Sequence, residues 1–283
     1  VHGGKAVLEL PLNELYLWEV GAGRLYDLTL TFGEDRADSY FGMRRIECRD
    51  GILYLNGKPV FQRLVLDQGF YPDGIYTAPT VAELEADIDR SLAMGFNGAR
   101  LHQKVFEPQF LSLCDRKGYI VWGEHANWGL DINRESSLLN FLPEWSETVE
   151  RDFNHPAIIG WCPFNETWDQ TSQAAHRILK AVYDETKRLD PTRPVIDVSG
   201  AYHEITDIYD QHDYDQNPES FGKSYAGYNG EEKSFNLFFK DKQVYIPQLP
   251  FFLSEFGGIK WIPESNRSSA ADNSWGYGDA PAT

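Results

Sequence analysis

"AIIGWCPFNETW", residues 157–168, runs from an unbroken apolar stretch through a proline into an Asn-Glu pair. Residues 157–162 show no alternation of apolar and polar positions, as expected of a strand covered on both faces. Pro163 cannot donate to a sheet ladder, so the strand is expected to end near Cys162. Asn165 and Glu166 then stand just past its C-terminal end. "PFFLSEFGG", residues 250–258, repeats the arrangement, with Glu255 at a strand end and Gly257-Gly258 letting the chain turn sharply.

Outward from these two stretches, strands and helices alternate. Thr80 and Glu83 form a capping box ahead of Val81, Leu84, Ile88 and Leu92 at helical spacing, and Gly95 suits the helix end. "NGARL" reads as a strand, residues 108–117 as a helix and "YIVWG" as a strand. A helix follows over about 138–153. Ala175, Ile178, Leu179, Val182, Thr186 and Leu189 mark a long helix stopped at Asp190-Pro191. Strands beginning near 61, 97, 119, 157, 194, 207 and 251 give seven, in the order of a parallel sheet. No GxGxxG or GxxxxGK phosphate turn is present. The order predicts a (β/α)8 barrel over residues 49–283, with its last strand lacking because the sequence stops at Thr283.

The first 48 residues differ. "KAVLELPL", "GRLYDLTLTF" and "SYFGMRRIEC" are short strand-like runs, and Leu28, Leu30 and Phe32 alternate with Asp27, Thr29 and Thr31. One face is expected to be buried, as in part of a β-sandwich. "ILYLNGKPV" then reads as a hairpin turning at Asn56-Gly57.

In a barrel the C-terminal strand ends carry the active site. Glu166 and Glu255, about three βα units apart, can therefore converge across the mouth. Two facing carboxylates are what glycosidic bond cleavage needs: one protonates the leaving oxygen, the other attacks the anomeric carbon or activates water. A net charge of −17 argues against nucleic acid or an anionic membrane as partner and suits a neutral ligand such as a carbohydrate. There is no apolar run long enough to span a membrane and no signal peptide, although the sequence begins at Val1. Cys48, Cys114 and Cys162, odd in number and widely spaced, read as buried free thiols, which leans towards the cytoplasm.

"GWCPFNETW" and "FFLSEFGG" resemble the acid/base and nucleophile motifs of the family 2 glycoside hydrolases, the β-galactosidase/β-glucuronidase family. "GMRRIECRDGILYLNGKPVFQR" resembles that family's junction between an immunoglobulin-like sandwich and its barrel, and "GFNGARLHQKVFEPQFLSLCDRKGYIVWGE" its second and third barrel strands. The resemblance implies an exo-acting, retaining β-glycosidase with no organic cofactor, and oligomerisation, if any, through domains outside this stretch. It implies Glu166 as general acid/base, Glu255 as nucleophile, Asn165 as the holder of the sugar 2-hydroxyl, Arg100 beside the nucleophile and Tyr214 from strand six.

Departures from the family pattern fall around the sugar. "RLHQK" displaces His102 and introduces Lys104, while "LVLDQG" places Asp67 and Gln68 at the mouth. His102 reads either as a ligand contact or as a satisfied polar residue, Asp67 either as a hydroxyl acceptor or as a turn former, and Lys104 either as a group recognising a carboxylated sugar or, by preference, as an exposed surface lysine. The magnesium loop of some members is not recognisable after "WGEH", where Glu124 and His125 alone are a weak signal, and no metal is expected. Trp128, Trp168 and Trp261 follow strands three, four and seven. Trp261 is a candidate for stacking on the sugar, although core packing is the default for each of the three. Two other readings remain: an endo-acting barrel glycanase with the same carboxylates, and a carbohydrate-binding or inactive fragment.

Overall fold

The computed structural model describes residues 7–168, 171–228, 238–243, 245–261 and 276–278. Its centre is a run of parallel strands: β6 (Leu64–Asp67), β7 (Gly98–Leu101), β8 (Ile120–Glu124) and β9 (Ile158–Cys162) pair in that order. Pro163 interrupts β9, as expected, but the chain resumes as β10 (Phe164–Asn165). This short strand pairs on the opposite side, parallel to β11 (Val198–Ser199), and a parallel bridge joins Trp161 to Val195. The fourth strand thus lies between the third, which it meets up to Cys162, and the fifth, which it meets from Trp161 onward. β12 (Tyr209–Asp213) and β13 (Phe251–Phe256) complete seven parallel strand positions in the order of a TIM barrel. Among the described residues, β6 pairs only with β7 and β13 only with β12.

Why β8 and β9 sit so close is written in their sequences. Trp122 lies opposite Gly160, and Gly123 opposite Trp161. A Cβ at Gly160 would stand 2.2 Å from the Trp122 ring, and one at Gly123 2.5 Å from the Trp161 ring. Each glycine makes room for the partner strand's indole, and both indoles are fully buried.

Helices cover this sheet where the apolar spacing places them. In α1 (Val81–Ala93), Thr80 Oγ1 accepts from the Glu83 N–H and Leu84 and Ile88 are buried. α2 (Pro108–Lys117) starts on proline and ends at left-handed Gly118. α3 (Leu138–Asp152) and α4 (Gln173–Leu189) pack beyond β9, with Trp145 Nε1 donating to Thr186 Oγ1 at 2.7 Å. A fifth helix, α5 (Pro218–Tyr225), lies between β12 and β13.

No helix separates β11 from β12, contrary to strict alternation. The Asp197 carboxylate organises a tight crossover instead, accepting from the Glu204 and Ile205 N–H groups at 2.7 and 3.1 Å.

The N-terminal region departs more. Residues 7–12 of the first expected strand are exposed and form no strand, and residues 5 and 6 lie outside the described residues. "SYFGMRRIEC" divides into β2 (Asp35–Phe41), paired with β1 (Tyr26–Phe32), and β3 (Ile46–Arg49), paired with β4 (Ile52–Leu55). β4 turns through Asn56-Gly57, both at positive φ, into β5 (Lys58–Pro59). The expected buried face of β1 is open: Leu30 is 48% and Phe32 86% exposed, because no second sheet covers it among the described residues. The hairpin is instead tied to the barrel at Asp115, whose Oδ2 accepts from Tyr40 at 2.8 Å and whose backbone oxygen accepts from Trp18 at 2.7 Å.

The three cysteines are free, and Cys114 and Cys162 are buried, as expected. Burial pushes their thiols well above the ordinary value, and that of Cys48 up to about 12. No helix among the described residues is long and apolar enough to cross a membrane.

Candidate active site

Arg100, on β7, is buried at the centre of the strand ends and organises the site. Nε donates to Glu124 Oε2 at 2.9 Å and one terminal nitrogen to Glu124 Oε1 at 3.1 Å. That same nitrogen reaches Asn165 Oδ1 at 2.5 Å, and the other reaches Glu255 Oε1 at 2.7 Å. Burial opposes the guanidinium charge, yet Glu124 and Glu255 hold its pKa above the ordinary value. The planar fork meets three side chains from three strands, which a lysine could not do.

Glu255, on β13, is met on both oxygens. Besides Arg100, its Oε1 has His102 Nε2 at 3.5 Å and His212 Nε2 at 3.4 Å, and its Oε2 accepts a short hydrogen bond from the Tyr214 hydroxyl. Burial and Glu255 push the Tyr214 phenol far up, so it stays a donor. Tyr214 stacks on Tyr277 with ring centroids 3.8 Å apart. His102 is held neutral: burial, helped by Arg100 and His212, lowers it to about 3. Gln68 fixes its other nitrogen at 2.9 Å.

Glu166 follows β10 in a left-handed conformation, φ 49°, with its N–H bonded to Ser199 O at 2.9 Å. A non-glycine residue there costs about 1–3 kcal/mol and is over-determined by its neighbours. Its Oε1 lies 2.7 Å from His212 Nδ1 and 3.5 Å from the Tyr214 hydroxyl. Asn165 is clamped by a reciprocal pair with Asn127, whose Oδ1 accepts the Asn165 N–H at 2.8 Å and whose Nδ2 donates to Asn165 O at 3.2 Å. With Oδ1 held by Arg100, the Asn165 Nδ2 is left as a buried donor with no partner among the described residues. Such a group points to a ligand that completes it.

The fold therefore gathers Arg100, Asn165, Glu166, Tyr214, Glu255 and His102. It does not bring Asp67 to them: that carboxylate accepts from Gly69 N–H at 2.9 Å, the turn role, and burial raises its pKa. Lys104 is not the exposed lysine expected. It is 3% exposed, donates to Gly69 O at 3.0 Å and lies 4.8 and 4.7 Å from the Tyr76 and Phe106 ring centroids. The expectation of core packing for the three mouth tryptophans is likewise corrected, since Trp128, Trp168 and Trp261 are 59%, 47% and 59% exposed. An open cleft of about 410 Å³ borders Glu166, with Trp128 and residues 129–132 along its wall.

Sequence reading missed His212, although "DQHDY" was in view, because nothing in strand periodicity tells an inward histidine from a structural one. Glu124 was read only as a weak metal signal, yet it is the carboxylate that shares Arg100. Among the described residues, Glu166, His212 and Glu255 are the one group with donor atoms close enough for a metal ion, within 4.8 Å of one another. Their oxygens already face N–H and O–H donors and the Arg100 cation, an arrangement better suited to a hydrogen-bonded acid/base pair.

Residues 46–257 match the family model for the TIM barrel domain of glycosyl hydrolases family 2. The chain belongs to that family. Curated relatives include β-galactosidase 2 of Enterobacter cloacae, 30% identical over 230 residues, covering 75% of this chain and 22% of the relative. The β-galactosidase of Pectobacterium atrosepticum is 32% identical over 72% of this chain and 20% of its own length. The chain thus spans about a fifth of the curated relatives it matches. Among solved structures, a β-glucuronidase of Faecalibacterium prausnitzii superposes with a TM-score of 0.72 at 24% identity, over 90% of this chain and 44% of that one. A family 2 β-galacturonidase of Eisenbergiella tayi gives 0.68 at 20%, over 91% and 46%. At that identity the structural likeness speaks for the family 2 barrel fold alone.

Proposed function

We propose that this chain carries the catalytic centre of a retaining, exo-acting β-glycosidase, β-galactosidase-like in its barrel. The observation that carries the reading is that one carboxylate oxygen of Glu166 and one of Glu255 lie within 4.8 Å of each other, too close for a water-sized gap between the two groups. Retention uses a separation of about 5–5.5 Å, whereas inversion needs about 6.5–9.5 Å to admit a water. In the first step Glu255 attacks the anomeric carbon while Glu166 gives its proton to the leaving oxygen. In the second, ionised Glu166 draws a proton from water, which displaces Glu255. Tyr214 and Arg100 hold Glu255 in line, and the unpartnered Asn165 amide donates to the sugar 2-hydroxyl. No step calls for an organic cofactor.

The cleft beside Glu166 lies on the acid's side of the bond and accommodates the departing group, with Trp128 on its wall offering an indole face to a pyranose; exposed Trp261 is a further stacking candidate that does not line this cleft. Residues 1–48 are proposed as the end of an immunoglobulin-like sandwich, and residues 49–283 as a barrel whose eighth strand would lie between β13 and β6.

The test is hydrolysis of a panel of aryl β-glycosides (galactoside, glucuronide, glucoside, mannoside, arabinoside) with Glu255→Gln and Glu166→Gln as controls. Glu255→Gln is expected to abolish turnover. Glu166→Gln should lower kcat about 10²–10⁴-fold on poor leaving groups and much less on activated ones. The first-formed sugar, read by NMR, should be the β anomer; an α anomer would sink the retaining mechanism. Turnover of polymers alone would favour an endo-acting glycanase. Sugar binding without turnover, unchanged in Glu166→Gln, would favour a binding module.

A further inference from the structure

Gln103 follows β7 with φ 53°, a left-handed conformation that a non-glycine residue holds only at a cost. Every polar atom of this half-buried residue is bonded. Its N–H donates to Glu124 Oε1 at 3.1 Å, and its backbone oxygen accepts from the Tyr76 hydroxyl at 3.0 Å. In the side chain, Oε1 accepts from the Asn127 and Trp128 N–H groups at 2.9 and 3.0 Å. Nε2 donates to Asn127 Oδ1 at 2.5 Å and lies 3.5 Å from His125 O.

Both side-chain amides can be oriented in one way only. Backbone N–H groups can only donate, so the Gln103 oxygen must face Asn127 and Trp128. The Asn165 N–H likewise fixes Asn127 Oδ1, at 2.8 Å, and Asn165 O fixes Asn127 Nδ2, at 3.2 Å. The contact between Gln103 Nε2 and Asn127 Oδ1 is then donor to acceptor, with no conflict anywhere in the set. No titratable side chain enters the links from Gln103 to Asn165 and Trp128.

Two branches therefore leave Gln103. One runs through Asn127 to the main chain of Asn165, whose buried Nδ2 is offered to the retained sugar. The other holds the N–H of Trp128, on the wall of the cleft beside Glu166. That indole is 59% exposed and meets the His102 ring edge-on, with centroids 5.2 Å apart. The backbone anchor and the His102 edge are what the described residues supply to fix it.

We propose that Gln103 is a positioning residue that sets both halves of the site together, Asn165 towards the retained sugar and Trp128 towards the leaving group. The inference rests on reading the cleft as that of a glycosidase. The cleft holds about 410 Å³ and joins the Trp128 indole to the carboxylate of Asp131. That pairing suits a pyranose, with its apolar C–H face and its hydroxyl edge. A β-linked di- or oligosaccharide is thus the substrate class on which Gln103 acts at both ends.

Two variants separate the branches. Gln103→Met removes both sets of side-chain bonds at similar shape. Gln103→Glu keeps an acceptor for the Asn127 and Trp128 N–H groups but sets a carboxylate oxygen against Asn127 Oδ1, breaking the branch to Asn165. The ratio of kcat/KM for a β-disaccharide to that for the methyl β-glycoside of the same first sugar reads the leaving-group side. The ratio for that methyl glycoside to its 2-deoxy analogue reads Asn165. Both ratios should fall about 5–10-fold in Gln103→Met, and only the second in Gln103→Glu. A merely structural role would lower all three substrates alike and leave both ratios unchanged, which would overturn the proposal. Hydrogen exchange, followed by NMR on the ¹⁵N-labelled full chain, gives a readout without catalysis. The Asn127 and Trp128 amides should exchange at least about tenfold faster in Gln103→Met, whereas Gln103→Glu should keep their protection. Unchanged protection in Gln103→Met would also overturn the proposal. If the unaltered chain hydrolyses no glycoside, the glycosidase reading fails, and the exchange comparison alone upholds or overturns the Gln103 assignment.

Discussion

Gly200 shows how much of the site is set by a residue with no chemistry. Its φ of 71° and the 2.2 Å that a Cβ would leave to His212 both exclude a side chain. Gly200→Ala is expected to destabilise the fold by about 1–3 kcal/mol, measured by denaturant midpoint. It should also lower kcat on poor leaving groups more than on activated ones, because the ring it displaces touches Glu166. A stability loss with kcat unchanged on both would show that the ring can shift harmlessly. At this level the sequence was legible where a motif repeats and opaque where it does not. Glu166 and Glu255 stand out by their strand-end contexts, as do Asn165 and Arg100 with the family pattern beside them. The burial of Lys104 and the turn role of Asp67 are decided by the loop after β6, whose path no periodicity encodes.

The fourth strand owes its placement to an anchor at the opposite end from the chemistry. Arg193 donates to Ile158 O at 2.7 Å, to Phe153 O and His155 O at 2.8 Å each, and to Asp190 Oδ2 at 2.6 Å. Trp161 Nε1 also donates to that oxygen at 2.8 Å, so the end of α4 is fastened to β9. Burial alone would raise Asp190, but Arg193, Thr192 and Trp161 hold it at about 2. A carboxyl depressed in the folded state contributes stability above its ordinary value near 3.8, and that contribution is lost as pH falls through about 2. It amounts to roughly 2–3 kcal/mol at neutral pH. Asp190→Asn should therefore lower Tm clearly at pH 6 and hardly at all near pH 2; equal deficits at both would rule out a role for the charge. Elements of this kind read well from sequence: α1 and α4 from their apolar spacing and caps, β8 and β9 from their apolar runs. The pairing of β10 with β11 and the helix-free crossover to β12 did not, because no local periodicity encodes which strand β10 meets or which N–H groups Asp197 accepts from.

Across the chain as a whole, acid groups dominate, with a net charge of −17. Besides the buried Arg100, Lys104 and Arg193, a histidine opposes that excess: His203 has Nδ1 2.7 Å from Asp197 and Nε2 3.0 Å from Asp210. Burial would lower it, yet the two aspartates raise it to about 10. A raised histidine contributes stability that is complete below its ordinary value near 6.5 and is lost as pH rises through about 10. Tm should fall between pH 7 and 10.5, and salt should restore only the part due to surface repulsion. In His203→Gln the starting Tm should be lower and the alkaline slope shallower; an unchanged slope would place the alkaline loss elsewhere. The barrel order was legible because strand and helix patterns alternate over two hundred residues, whereas the open face of β1 was not, since burial of Phe32 needs a covering sheet that its own alternation cannot supply. The three sulfhydryls have a practical consequence. With Cys114 and Cys162 sealed in the interior and Cys48 raised to about 12, maleimide and iodoacetamide chemistry at neutral pH finds few native thiolates. A single cysteine introduced at exposed position 126, beside the cleft wall, would therefore report, through an attached fluorophore, on a ligand arriving at the mouth, with little background from the rest of the chain.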